Sequence, residues 1–168
     1  MPAQIRVLDA GDAPVYVELR LRALREHPEA FATSYEEERA RSLAEAARKV
    51  APGPEHVTLG AFDGDRLVGM ATLVRPGKAK MRHRASIAAM YVAPEAQGRG
   101  LGRALLDRAL AVAGEWGVSE VSLMVTVGND AARSLYAGAG FVPYGVEPRS
   151  LCVEGRFHDV ELMNLRLR

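Results

Sequence analysis

The sequence predicts a single α/β domain in which helices flank a mixed, mostly antiparallel sheet. The first observation is the order of the elements, which runs strand, two helices, three strands, helix, strand, helix, strands. The second is Asp63-Gly64-Asp65, a turn that joins two apolar segments as an antiparallel hairpin. The third is a length of 168 residues without a linker long enough to separate two domains. We therefore take residues 1–168 as one domain.

The first segments predict one strand and two helices. Residues 5–8 form a short apolar strand, and Asp12 precedes Ala13-Pro14 as the N-cap of a helix with proline in its first turn. This helix ends before Pro28 and carries on its inner side Val15, Leu19, Arg22 and Ala23. A second helix is predicted over residues 35–50, where Pro52-Gly53-Pro54 ends it.

The middle of the chain changes to strand patterning. Residues 57–62 and 67–74 are predicted as the two strands of the hairpin, and residues 75–84 as a polar loop. A third strand covers residues 86–92 and stops at Pro94.

Helical and strand patterns alternate through the C-terminal half. A helix is predicted from the apolar spacing of Leu101, Leu105, Ala109, Val112 and Trp116. Residues 121–125 alternate as a strand, and Asn129-Asp130 begins a short helix that ends at Gly138 or Gly140. Phe141-Val142 and residues 157–167 supply the last strands.

Composition excludes several function classes. Lysine and arginine number 22 against 21 aspartates and glutamates, a balance that predicts neither a nucleic-acid nor a membrane partner. One cysteine excludes an internal disulfide framework, and four scattered histidines lack metal-ligand spacing, so we expect no metal. The first residues do not form a signal peptide, and no apolar run approaches the roughly 20 residues of a membrane span. We expect a cytoplasmic protein.

The segment Gln97-Gly98-Arg99-Gly100-Leu101-Gly102 lies between a predicted strand and a predicted helix. Glycines allow close approach of a ligand, and the unpaired N–H groups at a helix start attract anions. Arg99 and Arg103 add positive charge. The Walker pattern would require a lysine and a hydroxyl residue after the last glycine, and the dinucleotide pattern requires G-x-G-x-x-G, so neither fits. The loop predicts a phosphate site of another kind.

This region resembles the GCN5-related N-acetyltransferase (GNAT) superfamily. Gln97, Gly100 and Gly102 match its acetyl-CoA motif, Q/R-x-x-G-x-G/A, after the strand that ends in Met90-Tyr91-Val92. Downstream, residues 129–136 and Gly140-Phe141 match its second motif, N-x-x-A-x-x-L-Y…G-F. The specific resemblance covers residues 84–144.

The resemblance implies acetyl-CoA as cosubstrate and a set of residues that contact it. Backbone groups of Met90, Tyr91 and Val92 would meet the pantetheine arm, and Asn129 would contact the same arm. Tyr136 would lie near the sulfur, where a phenol of pKa near 10 can protonate the departing thiolate. The pyrophosphate would be held by Gln97, Gly98, Arg99, Gly100, Leu101, Gly102 and Arg103.

The sequence leaves the acceptor and the general base open. The leading hypothesis is acetylation of a primary amine on a small molecule or an amino-acid-like acceptor by direct attack; the alternatives are a protein or peptide acetyltransferase and a non-catalytic acyl-CoA-binding module. His83 and the pair His158-Asp159 are weak candidates for the base, and His27 and His56 are interpreted as surface residues. The glutamates of residues 36–38 either attract a cationic amine or, as we prefer, follow a cap at Ser34. A homodimer is possible.

Overall fold

The computed structural model describes residues 2–168 as helices packed around a seven-stranded sheet. The strands are β1 (Gln4–Val7), β2 (His56–Asp63), β3 (Arg66–Val74), β4 (Arg84–Val92), β5 (Glu120–Thr126), β6 (Val142–Val153) and β7 (Arg156–Arg166). The helices are α1 (Ala13–Glu26), α2 (Tyr35–Arg39), α3 (Leu43–Val50), α4 (Leu101–Glu115) and α5 (Asp130–Gly138). The predicted fold class is confirmed.

The sheet order is β1-β2-β3-β4-β5-β7-β6. β4 and β5 pair in parallel through the α4 crossover, and the other neighbouring pairs are antiparallel. The predicted hairpin joins β2 to β3, with Gly64 at a φ of 62° in its turn. That positive φ explains why the turn contains glycine.

The helices cover opposite faces of the sheet. Leu105 of α4 lies against Gly69, 3.1 Å from where a Cβ would stand. On the other face of β3, Thr72 lines a cavity that Tyr16 of α1 and Lys49 of α3 also line. One face of β3 therefore packs against α4, and the other face is directed toward α1 and α3.

The prediction of one helix over residues 35–50 was wrong. The chain forms α2 and α3 instead, because Ser42 begins a new helix: its hydroxyl accepts a hydrogen bond from the Glu45 backbone N–H, and its own backbone N–H donates one to the Glu45 carboxylate. Ser34 and Glu37 form the same capping box at α2, which confirms the cap predicted at Ser34. The second S-x-x-E pattern was a readable signal for the break.

The predicted inner face of α1 was wrong in one position. The buried residues of α1 include Tyr16, Leu19, Arg20 and Ala23, whereas Arg22 is on the surface and pairs with Glu95 at 2.7 Å. The helix begins at Ala13 as predicted, but Asp12 does not cap it. Its carboxylate instead accepts hydrogen bonds at 2.8 Å from Arg6 and from the backbone N–H of Asp9.

The strand predicted at Phe141-Val142 is longer than predicted, whereas the strand predicted over residues 157–167 corresponds to β7 within one residue. Phe141 precedes β6 as a buried residue, and β6 continues to Val153. β6 is an edge strand whose long exposed stretch, with Pro143 and Gly145, obscured the alternation. No helix within residues 2–168 is long and apolar enough to cross a membrane.

Candidate active site

A gap opens between β4 and β5. Their parallel pairing covers Arg84 with Glu120, Ala85 with Val121 and Ser86 with Ser122, and then stops. Beyond this point β4 continues beside β3 and β5 beside β7. The residues predicted to contact the cosubstrate, Met90, Tyr91 and Val92, all lie in the half of β4 that has no β5 partner.

A bulge in β4 lies beside this gap. Tyr91 pairs with Met70, and Ala88 pairs with Thr72. Ala89 and Met90 of β4 therefore both lie opposite the single β3 residue Ala71. Ala89 adopts a φ of 54°, which is uncommon for a residue other than glycine. A bulge leaves its extra residue unpaired and is frequent next to active sites. An alanine in this conformation gives no sequence signal, so the bulge was not predicted.

The glycine loop places the start of α4 at the end of the gap. The Gln97 side chain donates a hydrogen bond to the Val92 carbonyl at 3.1 Å, which ties the loop to β4. Gly98 and Gly100 both have φ of 75°, and a Cβ on either would meet no atom within 4 Å. The glycines therefore serve the backbone conformation and leave open space around it.

The first turn of α4 presents unused backbone donors. Gly100 is the N-cap and provides no side-chain bond, and the first N–H of this turn with a partner in residues 2–168 is that of Ala104. The N–H groups of Leu101, Gly102 and Arg103 are thus available, and the dipole of a 15-residue helix adds positive potential there.

Arg99 of the glycine loop and Arg103 of α4 are each paired with a carboxylate. Arg99 contacts Asp63 at 2.7 Å, and Arg103 contacts Asp107 at 2.8 Å. The Arg99 guanidinium lowers the pKa of Asp63 by donating a hydrogen bond to it. Both arginines are exposed enough to turn toward a ligand, at 37% and 50% of their side-chain surface.

Helix α5 carries the second predicted pair. Asn129 caps the helix, with its Oδ1 accepting a hydrogen bond from the Ala132 N–H at 3.3 Å. Tyr136 is buried and packs edge-on against Phe141, with ring centroids 6.0 Å apart. Its hydroxyl forms no hydrogen bond within the described residues, and burial raises its pKa to about 12. The α5 residue Leu135 lies next to Gly102, which connects this helix to the start of α4.

Residues 19–141 match the family model described as "Acetyltransferase (GNAT) family", and this range contains the gap, the glycine loop and Tyr136. The chain belongs to the GNAT family. The match covers more than half of the chain, and the predicted superfamily is confirmed.

Among curated GNAT relatives, a mycothiol acetyltransferase from Beutenbergia cavernae is 39% identical over 132 residues, which cover 78% of this chain and 41% of the relative. The chain spans less than half the length of the mycothiol acetyltransferases that it matches.

Solved GNAT structures share the whole fold. A GNAT-family acetyltransferase from Streptococcus pneumoniae superposes with a TM-score of 0.88 at 25% identity, covering 99% of both chains. A phosphinothricin acetyltransferase from Sinorhizobium meliloti, solved in complex with AcCoA, has a TM-score of 0.83 at 23% identity and covers 99% of this chain and 89% of that one.

This GNAT domain has a cavity of about 680 Å³ on the α1 and α3 side of the sheet. The β4 bulge forms one wall through Ala88 and Ala89. Apolar residues from several elements line much of the rest, among them Phe31, Val74, Ile87, Met124, Leu151 and Val160. This volume is within the range of small-molecule sites.

A buried charge cluster borders the cavity of the GNAT domain, and sequence analysis missed it. The Glu38 side chain is fully buried and lies 3.9 Å from Arg20, 3.3 Å from Lys49 and 3.8 Å from Arg41. Arg20 and Lys49 also line the cavity. Burial lowers the pKa of Lys49, while Glu38 opposes that change. Arg20 follows Tyr16 by four residues and precedes Ala23 by three, so its place on the inner face was a readable signal.

One of the four histidines, His56, is placed differently from the expectation. His83, His158 and Asp159 do not line the cavity, whereas His56, interpreted as a surface residue, does. His56 begins β2 and is half-buried, and burial lowers its pKa. His27 is exposed, and its ring is tilted by 56° against the ring of Tyr91, with centroids 6.3 Å apart. The Tyr91 hydroxyl donates a hydrogen bond to Glu26.

Proposed function

We propose that this chain transfers the acetyl group of acetyl-CoA to a primary amine on a small molecule. The observation that carries the proposal is the set of unused N–H donors at the start of α4, at the end of the gap between β4 and β5. This gap adjoins the cavity at the Ala89 bulge. The relatives named mycothiol acetyltransferase support a small acceptor.

The residues of the gap and loop fit acetyl-CoA. The N–H groups of Leu101, Gly102 and Arg103 offer the donors that a pyrophosphate requires, and the open space at Gly98 and Gly100 admits it closely. Arg99 and Arg103 would add charge-assisted bonds from the rim.

The other predicted contacts complete the cosubstrate site. Met90, Tyr91 and Val92 would hydrogen-bond the pantetheine arm through their backbones, because this half of β4 lacks its partner on the β5 side. Asn129, at the start of α5, would contact the same arm. Bound here, acetyl-CoA supplies the thioester whose acyl carbon forms the new C–N bond as the C–S bond breaks.

Tyr136 would donate its hydroxyl proton to the leaving thiolate. Its hydroxyl is not used by any other residue among 2–168, and its pKa of about 12 keeps the proton in place at neutral pH. General-acid catalysis of this kind contributes about 10²–10⁴ in rate.

His56 would receive the proton lost by the amine. The cavity is lined by arginine, lysine, tyrosine and one imidazole within the described chain, and no aspartate or glutamate. Of these, only the imidazole accepts a proton at neutral pH, and its lowered pKa keeps it in the neutral form.

The cavity favours a small acceptor over a peptide. A volume of about 680 Å³ bounded by five or more elements matches a small molecule, whereas a peptide requires a groove along the sheet. The unused Tyr136 hydroxyl also favours catalysis over a non-catalytic acyl-CoA-binding module.

Thermal unfolding with acetyl-CoA, CoA, ATP and NAD tests the cosubstrate. A ligand at about 100 times its dissociation constant stabilises a protein by about 2.7 kcal/mol, which corresponds to a rise of roughly 5–11 °C for a domain of this size. We expect the rise with acetyl-CoA and CoA alone, followed by CoA release in an amine screen. A rise with ATP or NAD only would refute the proposal, and binding without turnover of any amine would favour the acyl-CoA-binding module.

We also propose that the protein is cytoplasmic and forms a homodimer. The dimer has one supporting feature, the exposed apolar side chains Val142, Tyr144 and Val146 on the edge strand β6. Light scattering of the purified protein would give a dimer mass if the proposal is right and a monomer mass of 18.2 kDa if it is wrong.

A further inference from the structure

The cavity is positively charged along the wall formed by α1 and α3. Arg20, Arg48 and Lys49 line it, and no carboxylate of the described chain does. Glu38, behind this wall, is one negative charge within 4 Å of three positive ones, Arg20, Lys49 and Arg41. The cluster therefore keeps a net positive charge next to the cavity.

Arg20 has hydrogen-bond donors that nothing in residues 2–168 accepts. Its side chain is 7% exposed, and its Nε and Nη1 atoms are buried without a partner. The distance of 3.9 Å from Nε to Glu38 Oε2 permits ionic attraction but exceeds a hydrogen bond. Buried guanidinium groups are normally paired, since leaving such donors unsatisfied is unfavourable.

The chemistry of these side chains selects the anion. A guanidinium group donates charge-assisted hydrogen bonds to a carboxylate, and Lys49 adds a second positive charge on the same wall. A second ammonium group on the acceptor would instead face three cations, Arg20, Arg48 and Lys49, with no carboxylate among the described residues lining the cavity to balance them. The cavity thus favours an anionic amine over a polyamine.

We propose that the acceptor is an amine that carries a carboxylate, and that Arg20 binds this carboxylate, with Lys49 beside it, while the amine points toward the β4 bulge at Ala88 and Ala89. The inference rests on the proposed function and narrows its acceptor to amino-acid-like molecules. It assigns to Arg20 a role in acceptor specificity that is separate from acetyl-CoA binding.

Calorimetric titration of the CoA-loaded protein tests the proposal without requiring turnover. The probes are norleucine, phenylalanine and 5-aminopentanoate, each beside its carboxamide and its decarboxylated amine, with 1-aminopentylphosphonate to distinguish a carboxylate from another anion. At least one acid should bind 10- to 100-fold more tightly than its carboxamide, as expected for charge-assisted hydrogen bonds. Acids that bind no better than their amides, or only the phosphonate binding, would overturn the assignment.

Substitutions locate the effect. Arg20→Met should remove the 10- to 100-fold preference, Arg20→Lys should restore part of it, and CoA affinity should stay unchanged in both. Arg39→Met is the matched control, because Arg39 is exposed on α2 and does not line the cavity. If Arg20→Met fails to fold, Lys49→Met takes its place, with a smaller loss expected. A preference that survives these changes would refute the role of Arg20.

Turnover of the same probes separates this inference from the proposed function. Acetylation of the decarboxylated amines as fast as the acids would overturn the inference and leave the acetyltransferase intact. Tight, Arg20-dependent binding of an acid that is never acetylated would support the inference and contradict the proposed catalysis.

Discussion

The two ends of the proposed site are built from different parts of the chain. At the cosubstrate end, the donors are backbone N–H groups of α4, and the surrounding loop is exposed and rich in glycine. At the proposed acceptor end, the binding groups would be side chains from α1 and α3, the buried Arg20 and the half-buried Lys49, supported by Glu38 of α2. The comparison teaches that one end depends on local conformation and the other on tertiary packing, so substitutions should affect them differently.

Removal of the buried carboxylate should have the largest effect. Glu38→Ala leaves Arg20 and Lys49 without their shared counter-charge, and breaking a buried ion pair costs about 3–5 kcal/mol. Urea denaturation should show this as a lower free energy of unfolding. Glu36→Ala is the control, since Glu36 is exposed on the same helix and should leave the unfolding midpoint nearly unchanged. Equal midpoints for both variants would mean that the acceptor end does not depend on this cluster.

Tyr136→Phe should reduce catalysis with little effect on stability. The hydroxyl has no partner among the described residues, so its loss breaks no protein hydrogen bond, while kcat should fall by about 10²–10⁴. The wild-type profile of kcat should show no basic limb from Tyr136 up to pH 10, because the phenol is still protonated there. Steady-state kinetics with CoA release as the readout measures both, and an unchanged kcat would remove Tyr136 from the mechanism.

Gly100→Ala should act on the cosubstrate end alone. A side chain at a φ of 75° costs about 1–2 kcal/mol, which is felt as lower stability or, if the loop relaxes, as about 5- to 30-fold weaker binding of CoA. Affinity for the acceptor should not change. Calorimetry with CoA and urea denaturation together measure the two forms of the loss, and the absence of both would contradict the role of this left-handed residue.

Gly114→Ala in the same helix should have a small effect of opposite sign. Gly114 lies inside α4 without a positive φ, and a Cβ there would meet no atom within 4 Å. Replacing a helical glycine with alanine stabilises by about 0.5–1 kcal/mol. The melting temperature should therefore rise by about 1–4 °C with CoA affinity unchanged. A fall would indicate that the space around α4 is needed for packing.

Sequence reasoning predicted the conformation of the proposed cosubstrate end because that conformation depends on local geometry. Glycine at positions 98 and 100 corresponds to positive φ, and Asn129 caps the helix that contains Tyr136. The acceptor end was missed, since Arg20 and Lys49 come from helices far apart in the chain and meet only through Glu38. The prediction placed Arg22 rather than Arg20 on the inner face of α1. Arginines recur every few residues along this helix, so two helical spacings, one with Arg20 and one with Arg22 on the inner face, fit its sequence.

The sequence by itself determined the fold class, the family, the order of the elements and the glycine loop before α4, because turn residues, caps and periodicity act over a few neighbouring residues. It did not determine the break between α2 and α3 as we interpreted it, the extent of β6 or the bulge at Ala89. Only the tertiary structure decided which charges line the cavity. The reason is physical: a buried ion cluster is stabilised by partners that packing brings together, and no local pattern specifies them.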